Sequence, residues 1–524
     1  MPRWVRWSWI VPALFLGAFL AYPLSVLLRT ISTGGLTVVG DRLTSPDLWQ
    51  IAALAAVQAT ASTVLALIVG LPIANVTSRY RFRGRAVAQA LVTVPFVLPT
   101  VVVALAFRSM LGSGVPQGFV LVVIAHAYVN LAVVARIVGS QWAQHDADIE
   151  SVARTLGATR WRAFWDITVP ALRPALASSA AVVWVFSFTS LGIVLLLGDT
   201  STRTLESHIL RQTAVLLDFP GAAAAALVQL VLVTVILLAG AFASRRATTR
   251  RTRPAGLRDL PADRVARVSV RLVAVGTFVV VLAPVVALVV ASISSDAGWT
   301  TDWWTSMGSV DAGTTRIGSP AAALATSLRL AAITALIAGV VGGLAAIAIL
   351  VPGRTRIVAV VAMVPLGVSA ATLGLGTLLA FGRPPVDLRS SGLLVPIAHA
   401  LIAVPLVVAV VAPALRTTDS RTMQVAASLG AHPSRAFLTA YGPVLRVVMI
   451  ASAGLAAAVS LGEFGAASFL TRAGTPTVPV QIVRLLSRPG EQSLGVAAAL
   501  AVVLVVTTLL LVLLVDRLGA RRTA

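Results

Sequence analysis

The chain has 524 residues, 58% of them hydrophobic and 11% charged, with a mean hydropathy of +0.93. A water-soluble domain needs a largely polar surface, so this balance excludes one and gives an all-α polytopic membrane protein. The formal charge of +22 rests on arginine alone, since all 41 basic residues are arginine, and the absence of cysteine excludes disulfides and thiolate metal sites.

Apolar windows of about 20 residues, enough to cross ~30 Å of hydrocarbon at 1.5 Å per residue, recur along the chain. In the first part they lie near 9–28, 51–73, 87–107, 117–138, 174–197 and 220–242. A second set follows near 271–292, 321–350, 357–381, 392–413, 447–470 and 495–515. Basic Met1–Arg6 precedes the first window, which has no small-residue cleavage site, so this helix is expected to be retained. Twelve crossings leave both termini on one side, and 29 of the 41 arginines fall there. The positive-inside rule makes that side the cytoplasm of a cell membrane. The basic charge is thus a topology signal suited to the anionic inner leaflet of the bilayer, and no nucleic acid partner is needed. Between the sixth and seventh crossings, Ser244–Arg271 ("SRRATTRRTRPAGLRDLPADRVARVSVR") is polar and basic. It predicts a cytoplasmic linker over 244–270 joining a half at 1–243 to a half at 271–524.

The halves repeat. "VARTLGATRWRAFWDITVP" (Val152–Pro170) matches "VAASLGAHPSRAFLTAYGP" (Val425–Pro443) at nine of nineteen positions, without a gap, at an offset of 273 residues. The same offset pairs "AHA" at 125–127 with 398–400, Gly192 with Gly465, and Arg211 with Arg484. Six crossings per unit is an even number, so the halves share one orientation, and a pathway is expected where they meet. In the first copy, Asp146, Asp148 and Glu150 favour a helix N-terminus, and Gly157 can take the left-handed conformation that ends a helix. Trp161, Phe164, Trp165 and Ile167 then give an amphipathic helix, with Pro170 and Pro174 where the next crossing begins. The result is an elbow of two short helices, and two copies in matched loops favour docking to a two-fold symmetric partner over simple contact with lipid.

Ala153, Gly157, Ile167, Val169 and Pro170 have the spacing of the cytoplasmic "EAA" loop, which the elbow resembles, in the permeases of binding-protein-dependent ABC importers. The second copy keeps Ala426, Gly430 and Pro443 but has Ala440 and Gly442 where that pattern has aliphatic residues. The pattern's leading Glu is Ser151 here and Gln424 in the second copy, with Glu150 one position earlier. The resemblance implies that the elbows are coupling helices seated in grooves on two copies of an ABC ATPase subunit, which would hold ATP and magnesium. It also implies an extracytoplasmic solute-binding protein, for which Arg211 and Arg484 are candidate contacts. Ser187–Leu210 and Ser460–Val483 are similar to segments of the fused thiamine and ferric-iron permeases, so the implied cargo is thiamine-like or ferric iron.

The chain itself should not be an enzyme. A Walker A loop needs a lysine, and none exists; no His/Asp/Glu cluster has metal-ligand spacing, so no metal or other cofactor is expected on this chain. Glu463 is an ionisable residue within an apolar span, a costly placement that points to a cavity or a buried partner. With its repeat counterpart Ser190 and the matched pair His126 and His399, it forms the candidate translocation path. An ion-gradient-driven secondary transporter is the competing class and predicts more intramembrane carboxylates; a scaffold without transport is a third.

Overall fold

A computed structural model of the chain describes residues 2–32, 36–112, 117–144, 147–245, 257–260, 263–308, 319–351, 353, 355–382, 387–388, 391–419 and 421–520. Among the described residues, ten helices are long and apolar enough to cross a membrane, including Pro46–Arg79, Phe119–Ala143, Arg264–Ala291, Pro320–Ala348, Leu394–Thr417 and Pro433–Gly462. The other two predicted spans are each broken. Arg85–Val97 and Thr100–Leu111 meet at 106°, and Ile357–Gly367 and Ala370–Phe381 at 94°. Prolines explain both bends: Pro95 and Pro99 flank the first, and Pro365 lies at the second.

Packing shows that each broken pair is one crossing. Helices Pro46–Arg79 and Phe119–Ala143 run parallel, since Gln58 meets His126, Gly70 abuts Val134, and Gly139 abuts Ala74 and Ser78. The intervening chain must therefore return from one end of the bundle to the other. Likewise Thr334 meets Pro396 while Gly342 abuts Val407, so Pro320–Ala348 and Leu394–Thr417 are parallel too. Twelve crossings follow, as the hydropathy predicts.

The compact units cut across the contiguous halves 1–243 and 271–524. One unit comprises Met1–Thr44, Ile209–Leu227 and Ser292–Ala524; the other comprises Ser45–His208 and Val228–Ala291. In the former, the first crossing joins second-half helices: Val5 and Phe15 enter an apolar cluster with Ala338, Val404 and Phe437, and Phe19 packs on Phe381. In the latter, the seventh crossing joins first-half helices, where Val270 and Ala274 pack on Val76 and the Tyr128 hydroxyl donates to Val281 O at 2.9 Å. An apolar stripe in sequence specifies burial without naming its partner, so this exchange is visible only in three dimensions.

The linker expected over 244–270 is helical at both of its ends, where Phe219–Arg245 and Arg264–Ala291 extend into it. Residues 246–256 and 261–262 lie outside the described part, and 257–260 are held against the bundle.

Candidate functional site

Both elbows close with the same backbone motif. Helix Ala147–Thr155 ends at Gly157, whose φ is +91°, with Gly157 N–H donating to Arg154 O at 3.1 Å and Ala158 N–H to Ala153 O at 3.0 Å. Helix Arg421–Ser428 ends at Gly430, φ +82°, with Gly430 N–H donating to Ala427 O and Ala431 N–H to Ala426 O, both at 3.0 Å. These paired bonds form a Schellman cap, which satisfies the last carbonyls and needs a left-handed residue, here glycine. The backbone carbonyls of Ala153 and Ala426 are the cap acceptors, a role that does not depend on the side chain. The Asp146 predicted at the first helix start lies outside the described residues.

The cap lifts the turn away from the bundle. Val152 and Val425 are exposed, and Leu156 and Leu429 are 83% and 82% exposed. Two leucines so bare at equivalent positions of a folded loop make an apolar contact pair in search of a cover.

Beyond each turn a long helix leads directly into the membrane. In the second elbow it is Pro433–Gly462, 30 residues and so about 45 Å, continuous through Pro443. In the first, Arg160–Ala163 passes through a wide π-type turn at Phe164–Thr168, containing half-buried Ile167, into Val169–Phe188. The wide turn sits beside Pro170, whose missing N–H removes a helical bond. The expected short amphipathic helix is thus the start of the fifth crossing itself.

Each long helix stops at a break. Val169–Phe188 gives way at Thr189–Leu191 to the short helix Gly192–Leu197, and Pro433–Gly462 gives way at Glu463–Phe464 to Gly465–Leu470. Gly192 and Gly465 let these short helices touch the bent third crossings of their own units. A Cβ at Gly192 would lie 2.6 Å from Thr100 Oγ1, and one at Gly465 would lie 2.8 Å from Ala370 Cβ. Irregular backbone at membrane depth is tolerated where it is packed in protein or lines a cavity, and here each break is packed closely against a bent crossing.

Of the candidate path residues, Glu463 and His399 are brought together at the second break. Glu463 is buried: Oε1 accepts Ala466 N–H at 3.0 Å, Oε2 accepts Ala467 N–H at 3.0 Å, and Oε2 lies 3.0 Å from His399 Nε2. His399 Nδ1 is 2.8 Å from Ser460 Oγ, which donates to Thr334 Oγ1 at 3.2 Å. The carboxylate therefore caps the short helix and ties it to three others. In the first half, His126 Nδ1 is 2.8 Å from Gln58 Nε2, and Asn130 Nδ2 donates to Ser187 Oγ at 3.3 Å. Ser190, where the other half has Glu463, is buried, its hydroxyl has no hydrogen-bond partner among the described residues, and none of these joins it to His126.

Several of these groups lay beyond the sequence reading: Gln58, Asn130 and Thr334, polar residues inside apolar runs, carried the available signal. Glu206 is a further buried carboxylate, accepting from Gln229 Nε2 at 3.0 Å. Arg484, a candidate docking residue, folds back to donate to Ala473 O at 2.9 Å.

A family profile described as binding-protein-dependent transport system inner membrane component matches residues 62–249. The molybdate/tungstate transport system permease of Thermococcus kodakarensis is 30% identical over 182 residues, covering 35% of this chain and 73% of that protein. The chain belongs to this permease family. The permease is also 27% identical to the sulfate transport system permease of Escherichia coli over 238 residues, 43% of this chain and 86% of that one. It is 27% identical to the thiamine transport system permease of Brucella abortus over 502 residues, 91% of this chain and 88% of that protein. It is thus a multi-pass membrane subunit of an ABC importer. The profile match takes in the first elbow and the first break.

Glu150 anchors that elbow. Arg79 Nη2 donates to Glu150 Oε2 at 2.8 Å, Thr168 Oγ1 donates to Oε1, and Arg258 Nη1 lies 3.8 Å from Oε2. Burial raises the carboxyl's pKa, but the bonds from Arg79 and Thr168 and the charges of Arg79 and Arg258 outweigh it and hold it below its ordinary 4.5. Because the folded value is depressed, this contribution is fully present above pH 4.5 and fades as the pH falls through the folded value. E150Q should therefore lower thermal stability at pH 7 by about 1.5–3 kcal/mol, the range for hydrogen bonds to charged groups. The deficit relative to the unsubstituted permease should shrink in melts at pH 4 and below.

Proposed function

We propose that the two elbows are the attachment points for two copies of a separate ABC ATPase subunit on the cytoplasmic side, with both termini there. In this reading the apolar tips Val152–Leu156 and Val425–Leu429 seat in grooves on the ATPases. The observation that carries it is the unbroken helical route from each capped turn to an intramembrane break. A displacement of the elbow is passed along a packed helix to Gly192 or Gly465 and the bent crossing each touches, a rigid-element transition of the kind that nucleotide binding biases. ATP and magnesium belong to the ATPases, and the cargo arrives on an extracytoplasmic binding protein, as the family's description implies.

We assign the cargo to the thiamine class. The thiamine permease shares the fused two-half length of this chain over 91% of it, whereas the molybdate/tungstate and sulfate permeases match 35% and 43%. Glu463, with both oxygens bonded inside its unit, serves the framework in this reading, leaving cation recognition to the binding protein. Reconstituting the permease with its ATPase and binding protein tests both points. ATPase stimulation by thiamine, and none by molybdate, tungstate, sulfate or ferric iron, is expected; stimulation by an oxyanion or iron alone would overturn the cargo assignment.

A further inference from the structure

The segment between the two halves does more than connect them. Arg258 N–H donates to Arg79 O at 2.8 Å, and Arg81 N–H donates to Arg258 O at 2.8 Å, a parallel bridge between Tyr80 and Arg258. Leu260 packs with Tyr80 and Phe82 beside Val76, Val270 and Ala274. With its backbone so fixed, Arg258 directs its guanidinium at the carboxylate of Glu150, near the start of the elbow helix that contains Ala153 and is ended by Gly157.

The second elbow is held otherwise. At the repeat offset Glu150 corresponds to Met423, which packs on the apolar cluster containing Phe437 and Tyr441. One elbow is pinned by charge and by the linker; the other is pinned by apolar contact.

We infer that the linker segment 257–260 is a built-in strut of the first elbow, with Arg258 as its positioning residue. A partly exposed ion pair at 3.8 Å is weak when both side chains must be ordered to form it. Here the two backbone hydrogen bonds have already ordered the arginine, so the pairing costs less conformational entropy. Movement of that segment is thereby transmitted to the first elbow through Glu150, a contact that Met423 cannot make in the second, so the two docking sites are mechanically unequal. The inference rests on the reading of the elbows as ATPase docks, but its first test does not.

Because the chain has no cysteine, a single Cys replacing Leu156 or Leu429 accepts a nitroxide label at one elbow tip. In the full-length permease in lipid vesicles, R258A should shift the label at position 156 toward the mobile component and leave the label at 429 unchanged. R258K, which keeps the charge and the backbone bridge, should restore the spectrum at 156. An unchanged spectrum at 156, or equal shifts at both tips, would overturn the inference; the spectrum at 429 also reports whether R258A folds. Retention of a co-expressed ATPase by the unsubstituted chain, measured alongside, decides the docking reading separately. If that reading holds, R258A should weaken retention about threefold, in keeping with the loss of one partly exposed ion pair, and R258K should recover it.

Discussion

Replacing Glu463 by alanine should destabilise the permease by several kcal/mol, about 1–3 kcal/mol for each buried group left without its partner. Three partners are abandoned together: His399 Nε2 loses its carboxylate, and the N–H groups of Ala466 and Ala467 lose their acceptors in a place water does not easily reach. E463Q should fall between, since an amide oxygen can still accept one backbone bond while the charge is gone. H399A should cost less than E463A, because the carboxylate keeps its two backbone donors. The double mutant should be less damaging than the sum, as expected for residues in contact. Thermal unfolding of the purified full-length chain in detergent measures all four. Wild-type stability combined with an altered cargo affinity in E463A would instead move Glu463 from the framework to the path.

The elbows were legible in the sequence because a glycine needed for its positive φ, an alanine and an exposed leucine recur at one fixed offset. Few explanations other than a repeated local structure produce that coincidence. The crossings were legible for a cruder reason, the length of the apolar runs. The partner of each run was not: nothing in residues 3–31 says that Val5 and Phe19 belong with Phe437 and Phe381 rather than with the neighbouring helices. Pro95, Pro99 and Pro365 were in view, yet a proline in an apolar run is compatible with a kink, a break or an end, and only packing decides. Glu463 announced itself by its charge, while His399, 64 positions earlier, could be recognised as its partner only once the fourth and fifth crossings of that half were placed side by side. Arg258 was hidden among nine arginines in a segment whose composition reads as solvated.

Valine at both Gly157 and Gly430 should abolish ATPase attachment and binding-protein-dependent uptake while leaving the melting of the bundle nearly unchanged. At each glycine the φ is positive, +91° and +82°, and a Cβ there would meet nothing within 4 Å among the described residues. The penalty is therefore one of backbone conformation, about 1–2 kcal/mol for an L-residue in the left-handed region and more for a β-branched one. The easiest escape is to abandon the left-handed turn, which would break the bonds from Ala158 to Ala153 O and from Ala431 to Ala426 O and re-aim Leu156 and Leu429. A purely steric account of the same substitution predicts no effect, since the space is open. Asparagine, which tolerates left-handed φ, separates the two: G157N/G430N should retain much of the attachment that G157V/G430V loses. Each single valine mutant should keep one working elbow and show partial retention. Co-purification of the ATPase with the full-length variants reads the difference directly, and a valine double mutant that holds the ATPase and supports uptake like the unsubstituted permease would remove the elbows from the coupling route.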